Sequence, residues 1–504
     1  MQALTSRRTF LRATAGGGLA LALGQPAFLS RLQPVSAAEA ALDPRIVRFS
    51  DESEPLVRFL EDTPRDKLVE EVAIRVRDGL AYRELLAALL LAGVRNIQPR
   101  PVGFKFHAVL VVNSAHLASI SSPEAHRWLP IFWALDQFKS SQARDMAEGD
   151  WTMGPIEESK VPSPLRARQA FLEAMDQWDE TAADAAVVGL VRSAGAQEIF
   201  ELFCRYGARD FRNIGHKAIY VANSWRTLQA IGWQHAEPVL RSLAYALLDR
   251  DGNANPSESN LPADRPGRRN LELRSEFPET WLGGTNSTEA SIEMLETVRS
   301  GSALDASQTV VALLERGVSP QSIWDGLFQG AAELLMREPG ILSLHAVTTT
   351  NALHYSWLQC GWDATRRFLL LQAAAFLPLF RRNRGGAQRI DQWSASGLLD
   401  GKRVSIEEVF SEVNQNNNLA AAKALAWLQQ NPRPREFIDA ARVLIFSKGT
   451  NSHDYKFSSA ALEDYAFLSP GLRDRYLAAS VFNLRGSSER DTELAQRIRA
   501  TLAG

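Results

Sequence analysis

Apolar residues recur at three- and four-residue spacing along most of the chain. The pattern is clearest in residues 67–93, 181–195, 307–317 and 418–430, and several of these segments end in Gly or Pro. Such spacing places apolar side chains on one face of a helix, and Gly and Pro commonly end helices. Runs that alternate apolar and polar residues around hairpin turns, the pattern of strands, are missing from the sequence. The chain is therefore predicted to be all-α.

Four segments place a histidine near the start of a helical stretch in a similar sequence setting. Those beginning at His107, His216 and His345 align almost without gaps, and each carries an Asn six or seven residues later. The fourth, at His453, is looser. The first two and the last two of these histidines lie about 110 residues apart, a regularity typical of repeat proteins. We predict four tandem helical units packed into one body, because one unit cannot bury its apolar face alone.

Two stretches interrupt the helical pattern. Residues 148–164 contain several prolines, and residues 249–286 are rich in Asp, Asn, Pro, Gly and Arg. Loops of this length in a compact domain are commonly functional or mobile. We expect both to be long loops on a single domain that spans residues 39–504.

The N-terminus has the layout of a twin-arginine export signal. Arg7 and Arg8 precede a weakly apolar stretch, and small residues follow as far as Ala40. Gly and Pro interrupt the apolar stretch, so it does not predict a membrane-spanning helix. Residues 1–38 are predicted to be cleaved after export to the periplasm or another exported location, with the twin-arginine translocase as a partner. Proteins on this route are exported folded and often carry a cofactor.

Composition narrows the partners and the metal chemistry. The 56 basic and 58 acidic residues nearly balance, so neither nucleic acid nor, once the signal is removed, a membrane surface is expected as a partner. Cys204 and Cys360 are the two cysteines, too few for a thiolate metal site. A single bridge between them stays open. The sequence also lacks the H-E-x-x-H, Gly-rich phosphate-loop and G-x-S-x-G motifs, which argues against common hydrolases and Rossmann enzymes.

The leading histidines have a structural and a functional interpretation. They could be packing staples, that is, side chains that only hydrogen-bond one helical unit to the next, or they could converge on one cavity. Imidazoles gathered in a cavity suit proton transfer near neutral pH or binding of a transition metal. We predict that four histidines line one cavity as candidate catalytic residues: His107, His216, His345 and His453.

A metal is a candidate cofactor, although the cofactor is otherwise unknown from the sequence. Two histidine segments are near-copies and could face each other across a pseudo-symmetric pocket, which gives the candidate ligand set His107, His116, His345 and His354. Each segment holds two histidines nine residues apart, about 180° around a regular helix, so both cannot share one face. Imidazoles without thiolates favour Zn, Cu or non-haem Fe.

Polar and aromatic residues near the histidines are candidates for substrate binding. Asn and His or Arg side chains three residues apart share a helix face, and flat aromatic rings could wall a pocket for a small-molecule substrate. The candidate substrate-binding residues are Asn113, Asn223, Arg226, Asn351, Trp225, Tyr355 and Trp357.

The same segments resemble the questin oxidase-like family. The matching pieces are Gly215–Ile219, Leu344–Thr349, His453–Lys456, and Phe106–His107 together with Asn113–His116. The resemblance implies an oxygen-using oxidoreductase, whose founding activity is an NADPH-dependent oxidative ring opening of an anthraquinone. It also adds Lys456 to the candidate catalytic residues. Family members have a second histidine shortly after the one matching His216, where this chain has Tyr220, and export would remove the chain from cytoplasmic NADPH.

Two function classes follow. The first is an exported oxidoreductase that acts on an aromatic or polycyclic small molecule through a histidine-lined cavity. The second is a non-catalytic helical repeat scaffold or a metal-binding protein. In a scaffold the two long loops would bind a partner and the histidines would serve as packing staples.

Overall fold

The structure, a computed structural model, describes residues 46–382, 386–394 and 403–503. Within these ranges it contains 22 α-helices and no strand, which confirms the predicted all-α fold. The predicted export signal, residues 1–38, lies outside the described residues. Across the described part of the chain, each helix is too short or too polar to span a membrane.

Most of the helices follow one another with short connections, and the longest connections between consecutive described helices are residues 149–163, 248–264 and 377–405. The first ten are α1 (Glu54–Asp62), α2 (Arg65–Arg77), α3 (Tyr82–Asn96), α4 (His107–Ser121), α5 (Leu129–Glu148), α6 (Pro164–Gln177), α7 (Glu180–Ser193), α8 (Ala196–Gly207), α9 (His216–Ile231) and α10 (Ala236–Leu247). The other twelve are α11 (Arg265–Leu273), α12 (Thr288–Ser300), α13 (Ala303–Glu315), α14 (Pro320–Arg337), α15 (Ile341–Gln359), α16 (Asp363–Phe376), α17 (Ile406–Glu412), α18 (Asn417–Gln430), α19 (Arg435–Lys448), α20 (Ser452–Asp464), α21 (Pro470–Ala479) and α22 (Glu493–Ala503).

Four helices form a central bundle, and each carries one leading histidine in its first turns. Helix α4 packs against α9 and α20, and α15 packs against the same two helices, so the four close into a ring. Their histidines meet at one end, so all four helices begin at that end and run in the same direction. The central bundle therefore brings equivalent positions of four distant sequence segments together.

Other helices enclose the central bundle. Helix α5 packs on α4, α8 and α10 pack on α9, α14 and α16 pack on α15, and α19 packs on α20. The outward faces of the central helices are buried against this shell, as Val109 and Val112 of α4 and Leu353 of α15 illustrate. The four leading histidines and the asparagines that follow three of them face the interior of the bundle instead.

The two predicted loops have different structures. Residues 149–163 are mostly irregular, with one 3₁₀ turn at Glu158–Lys160. Residues 249–286, expected to be a long loop, contain helix α11, which packs against α16. The reason is burial: the Asn270 side chain of α11 is fully buried and donates a hydrogen bond to Gln372 of α16.

The two cysteines are neighbours in the fold. Cys204 lies on α8 and Cys360 follows the end of α15, and both are buried free thiols. The contact with Cys204 and burial together raise the pKa of the Cys360 thiol. Both thiols lie outside the four-histidine cluster described below.

Candidate metal centre

The four leading histidines meet at the common N-terminal end of the central bundle. One ring nitrogen of each residue lies within 4.8 Å of those of the other three: His107, His216, His345 and His453. The Nε2 atom of His216 is 2.9 Å from Nε2 of His107 and 2.9 Å from Nε2 of His345. The predicted convergence of these histidines is confirmed.

Backbone carbonyls fix the orientation of at least two of these rings. Nδ1 of His216 donates to the carbonyl oxygen of Asn213 at 2.7 Å, and Nδ1 of His345 donates to that of Ile341 at 2.7 Å. A carbonyl oxygen only accepts, so Nδ1 carries the hydrogen and Nε2 of each neutral ring is a bare lone pair. The two Nε2 atoms therefore face each other at 2.9 Å with no hydrogen between them, an arrangement that a shared cation would stabilise.

The turn before His216 is strained and is held by a buried carboxylate. Asn213 and Ile214 have φ values of 58° and 47°, and a positive φ is a genuine outlier for a β-branched residue. Asn213 donates to the Asp249 carboxylate, so the start of segment 249–286 supports this turn. Strained backbone of this kind clusters at functional sites, where the surrounding structure must hold it in place.

Two glycines let the backbone approach the cluster closely. A Cβ atom on Gly215 would lie 2.1 Å from the Thr349 hydroxyl of α15, and one on Gly103 would lie 3.3 Å from the ring of His216. Both residues also have positive φ values. Glycine at these positions allows α9 to pack tightly on α15 and allows the segment before α4 to cover His216.

Burial keeps the clustered rings neutral. Burial, together with the nearby Lys456 side chain, lowers the pKa of His107, His216 and His345 well below its ordinary value. The same two causes lower the pKa of His453 to about 4. At neutral pH these rings are uncharged, which is the form that binds a metal.

Lys456 lies three residues after His453 and is completely buried. Burial lowers the pKa of its amine to about 7, and among the described residues its Nζ has no hydrogen-bond partner. Burying an unpaired ammonium is costly, so the neutral amine is favoured here. Beside the histidines it offers a further lone pair and, near neutral pH, a group that can exchange a proton.

The closest spacings of the ring nitrogens match those of ligands that share one metal ion. Bonds of about 2.0–2.1 Å place neighbouring ligand nitrogens about 2.9 Å apart at a right angle and about 3.3 Å apart in a tetrahedron. Nε2 of His216 lies 2.9 Å from two of its neighbours, whereas the widest separation in the cluster, 4.8 Å, exceeds the about 4.1 Å between opposite ligands, so binding all four requires a ring to move inward. Metal-binding histidines usually donate their second N–H to a carbonyl or carboxylate, as His216 and His345 do. The site offers neutral imidazoles, which suit Zn, Cu, Fe or Ni.

The candidate ligand set His107, His116, His345 and His354 is not the set that the structure brings together. Both pairs lie on regular helices, so the second histidine points away from the first. Nδ1 of His116 contacts the Tyr82 hydroxyl at 3.0 Å. The ring of His354 packs among Trp324, Phe328, Trp357 and Phe467. In their places the cluster contains His216 and His453.

A polar cavity lies further along the axis of the central bundle, and its lining contains none of the four clustered histidines. Its volume is about 20 Å³, room for one or two water molecules. Several predicted site residues line it together with Ser459: Asn113, Asn223, Arg226, Asn351 and Lys456.

The asparagines that line the polar cavity form hydrogen bonds with one another and with carboxylates. Nδ2 of Asn113 donates to Oδ1 of Asn223 at 3.2 Å, and Asn351 donates to Asp464 at 2.6 Å. The Arg226 guanidinium pairs with the Glu463 carboxylate at 2.8 Å at the far end. Burial raises the pKa of Asp464 well above its ordinary value.

Three residues at or near the polar cavity were not predicted from the sequence: Ser459, Glu463 and Asp464. Ser459 could have been found, because it follows His453 by six residues, as Asn113 follows His107. Glu463 and Asp464 carried no comparable signal, since the other segments have no carboxylate at the matching position.

The predicted aromatic walls do not surround the histidines. Trp225 stacks on Phe200 in the outer core, and Trp357 packs against Trp281 and Trp324. Trp225 follows His216 by nine residues and Trp357 follows His345 by twelve, which is about 13 and 18 Å along a helix. Tyr355 lies at the far end of the polar cavity, where its ring carries the Arg226 guanidinium at 3.7 Å.

Comparisons of the chain with protein-family models, with curated proteins and with solved structures gave no match.

Proposed function

We propose that this chain is an oxidoreductase whose four clustered histidines bind one transition-metal ion. The metal is inferred from one observation. The bare Nε2 lone pairs of His216 and His345 face each other at 2.9 Å, while both Nδ1 atoms donate hydrogen bonds to backbone carbonyls. A cation between these two nitrogens replaces a repulsive contact with two coordinate bonds, and His107 and His453 supply the other two ligands. The ligand set is His107, His216, His345 and His453.

The alternative of packing staples is less consistent with the geometry. A staple uses both ring nitrogens in hydrogen bonds, because a buried polar atom without a partner is costly. Nε2 of His453 is buried and has no hydrogen-bond partner within the described part of the chain. Acid–base catalysis by the histidines alone also fits poorly, since their pKa values lie far below 7.

The oxidation of an aromatic or polycyclic small molecule rests on the resemblance to the questin oxidase-like family. That resemblance implies an oxygen-using enzyme, and iron and copper are the redox-active metals among those that imidazole suits. We also propose that the chain is exported to the periplasm by the twin-arginine route, with the translocase as a partner. The proposal includes an organisation into four repeat units.

Metal content tests the first part of the proposal. Protein purified without a histidine tag should contain about one equivalent of a transition metal per chain, since buried ligands retain a bound ion. The His216→Gln variant should lose it, whereas His235→Gln, a change outside the cluster, should keep it. Elemental analysis below about a tenth of an equivalent in the unaltered protein, after iron, copper and zinc have each been supplied, would remove the metal.

Oxygen consumption tests the second part. The metal-loaded protein is incubated with a hydroxyanthraquinone, with and without NADPH as a two-electron donor, oxygen uptake is followed with an electrode, and products are identified by mass spectrometry. Uptake that depends on both the aromatic compound and His216 supports oxidase chemistry. A metal-loaded protein that consumes no oxygen with a panel of hydroxylated polycyclic compounds would leave a metal-binding protein.

A further inference from the structure

The two cysteines lie on two parts of the fold that support the histidine cluster. Cys204 is on α8, which packs on the His216 helix α9, and Cys360 follows the end of the His345 helix α15. Both side chains are buried free thiols. A covalent bond between them would join the outer shell of helices to the central bundle.

One face of α8 runs along the end of α15. Nε2 of Gln197 donates a hydrogen bond to the carbonyl oxygen of Gln359 at 2.8 Å. One turn later, Oε1 of Glu201 accepts a hydrogen bond from the backbone N–H of Trp362 at 3.0 Å. Positions 197, 201 and 204 share one face of the helix, because they are four and three residues apart. The third position of this face is Cys204.

At this third position the two thiols are in contact. The Cys360 side chain contacts both the Cys204 thiol and the Glu201 carboxylate. Oε2 of Glu201 is buried and, among the described residues, receives no N–H or O–H donor. This oxygen can accept the proton that the Cys360 thiol releases when its sulfur reacts.

Cys360 lies beneath a turn at the protein surface. The residues on both sides of it are exposed, 358–359 before it and 361–364 after it. The turn itself is short, since α15 ends at Gln359 and α16 begins at Asp363. Exposed turns open locally at a much lower free energy than the core of a protein. Such an opening brings the Cys360 sulfur to solvent while the central bundle stays folded.

We infer that Cys204 and Cys360 form a disulfide bond when the folded chain meets an external disulfide. The Cys360 sulfur passes its proton to Glu201, attacks one sulfur of the external disulfide and releases one thiol. The Cys204 sulfur then loses its proton, attacks the Cys360 sulfur and releases the second thiol. The two cysteine sulfurs are oxidised, the external disulfide takes up two electrons, and both protons end on the released thiols.

The oxidant in the cell would come from the compartment of the protein. Exported proteins meet external disulfides, whereas cytosolic thiols are kept reduced. The bond in the cell therefore rests on the proposed export, but its formation in the purified chain depends on neither export nor a metal. Burial and the contact with Cys204 raise the pKa of the Cys360 thiol. The attack needs the thiolate, so the reaction should be faster at alkaline pH.

Thiol counting on the purified full chain tests this inference. The folded chain is incubated with glutathione disulfide at mildly alkaline pH, then unfolded in urea and labelled with a maleimide. The unaltered chain should take up no label, and a peptide map should show one linked pair that contains Cys204 and Cys360. Cys204→Ala and Cys360→Ala are matched controls, since the single cysteine of each should take up the label or carry glutathione.

The melting temperature measures what the bond does to the fold. The two cysteines are 156 positions apart along the chain, so the bond restricts a long loop of the unfolded state. Oxidation should raise the melting temperature by roughly 5 °C. Oxidised and reduced samples of the same unaltered chain are compared, so the result depends on no substitution. Oxidation of either single-cysteine variant should not raise its melting temperature.

Three results would overturn the inference. They are two free thiols after oxidation of the folded chain, glutathione on both cysteines without a bond between them, and a bonded chain that melts below the reduced one. The last would show that the bond distorts the native packing. Metal content is measured on the same samples. A bonded chain without metal contradicts the proposed function alone, and a metal-loaded chain with two free thiols contradicts the disulfide alone.

Discussion

Helices α4 and α15 each carry two histidines nine residues apart, and the two members of each pair have different surroundings. His107 and His345 point into the central bundle, where they meet His216 and His453. His116 and His354 point outward, the first to the Tyr82 hydroxyl and the second into a group of aromatic rings. His345 and His354 are both buried, at 0% and 3% exposure. Residue type and burial are thus the same, and the partners differ.

The difference shows what makes a buried histidine a candidate ligand. His345 donates Nδ1–H to a backbone carbonyl and directs Nε2 at another histidine. The ring of His354 is surrounded by apolar rings that offer no lone pair. Bare lone pairs that face each other in a group of four histidines are explained by a bound cation, whereas an isolated imidazole among aromatic rings is explained by packing.

The largest expected effect separates His345 from His354 by metal affinity. His345→Gln should weaken metal binding at least 100-fold, because changes in the surrounding shell alone cost 10- to 100-fold. His354→Gln should retain the affinity of the unaltered chain within a few-fold. Competition with a chelator of known affinity measures both. Equal losses in the two variants would show that the inward pair has no special role.

Lys456 is expected to lower the free energy of unfolding of the metal-free protein at neutral pH. At pH 7 the unfolded chain holds the ammonium form, while burial lowers the folded pKa to about 7. The depressed pKa means that the folded state gains stability as pH rises from about 7 toward 10. Lys456→Met should raise the free energy of unfolding of metal-free protein by a few kcal/mol at pH 7, and the rise with pH should vanish.

Urea denaturation across this pH range measures the effect, with exposed Lys67→Met as the control. A Lys456→Met variant less stable than the unaltered chain at pH 7 would mean that the amine has a strong partner in solution.

Acid should destabilise the metal-free protein through both the clustered and the outward histidines. Burial first, and Lys456 second, lower the folded pKa of His453 to about 4, and burial lowers that of His354 to about 3. Below pH 6.5 the unfolded chain therefore binds protons that the folded chain refuses, and stability falls as pH drops from 6.5 toward 4. Each such group contributes at most about 1.4 kcal/mol per pH unit.

Replacing either His453 or His354 with Gln should reduce this slope. The two sites then resemble each other in pH response and differ in metal binding. An unchanged slope in both variants would indicate that these rings titrate normally in the folded chain.

The smallest effect concerns the outward pair. Tyr82→Phe removes the hydroxyl that contacts Nδ1 of His116 and should lower the free energy of unfolding by about 1 kcal/mol. Metal content should not change. Loss of metal in this variant would show that His116 influences metal binding, which would contradict the distinction between clustered and outward histidines.

The sequence was sufficient to predict the helices and the meeting of four histidines, because apolar periodicity and repeated segments carry both. Choosing between His116 and His216 as a ligand required knowing that α4 and α9 run in the same direction in one bundle, which depends on tertiary packing. The prediction that aromatic residues wall the site was wrong for a simpler reason. Trp225 and Trp357 are close to the histidines in sequence, but each residue adds 1.5 Å along a helix.

The most direct test of the metal centre is a crystal structure with anomalous data collected at the absorption edge of the metal found in the protein. The account predicts one anomalous peak about 2.0–2.2 Å from a ring nitrogen of His107, His216, His345 and His453. A peak at His116 or His354, or metal-loaded crystals with no peak among the four clustered histidines, would contradict it.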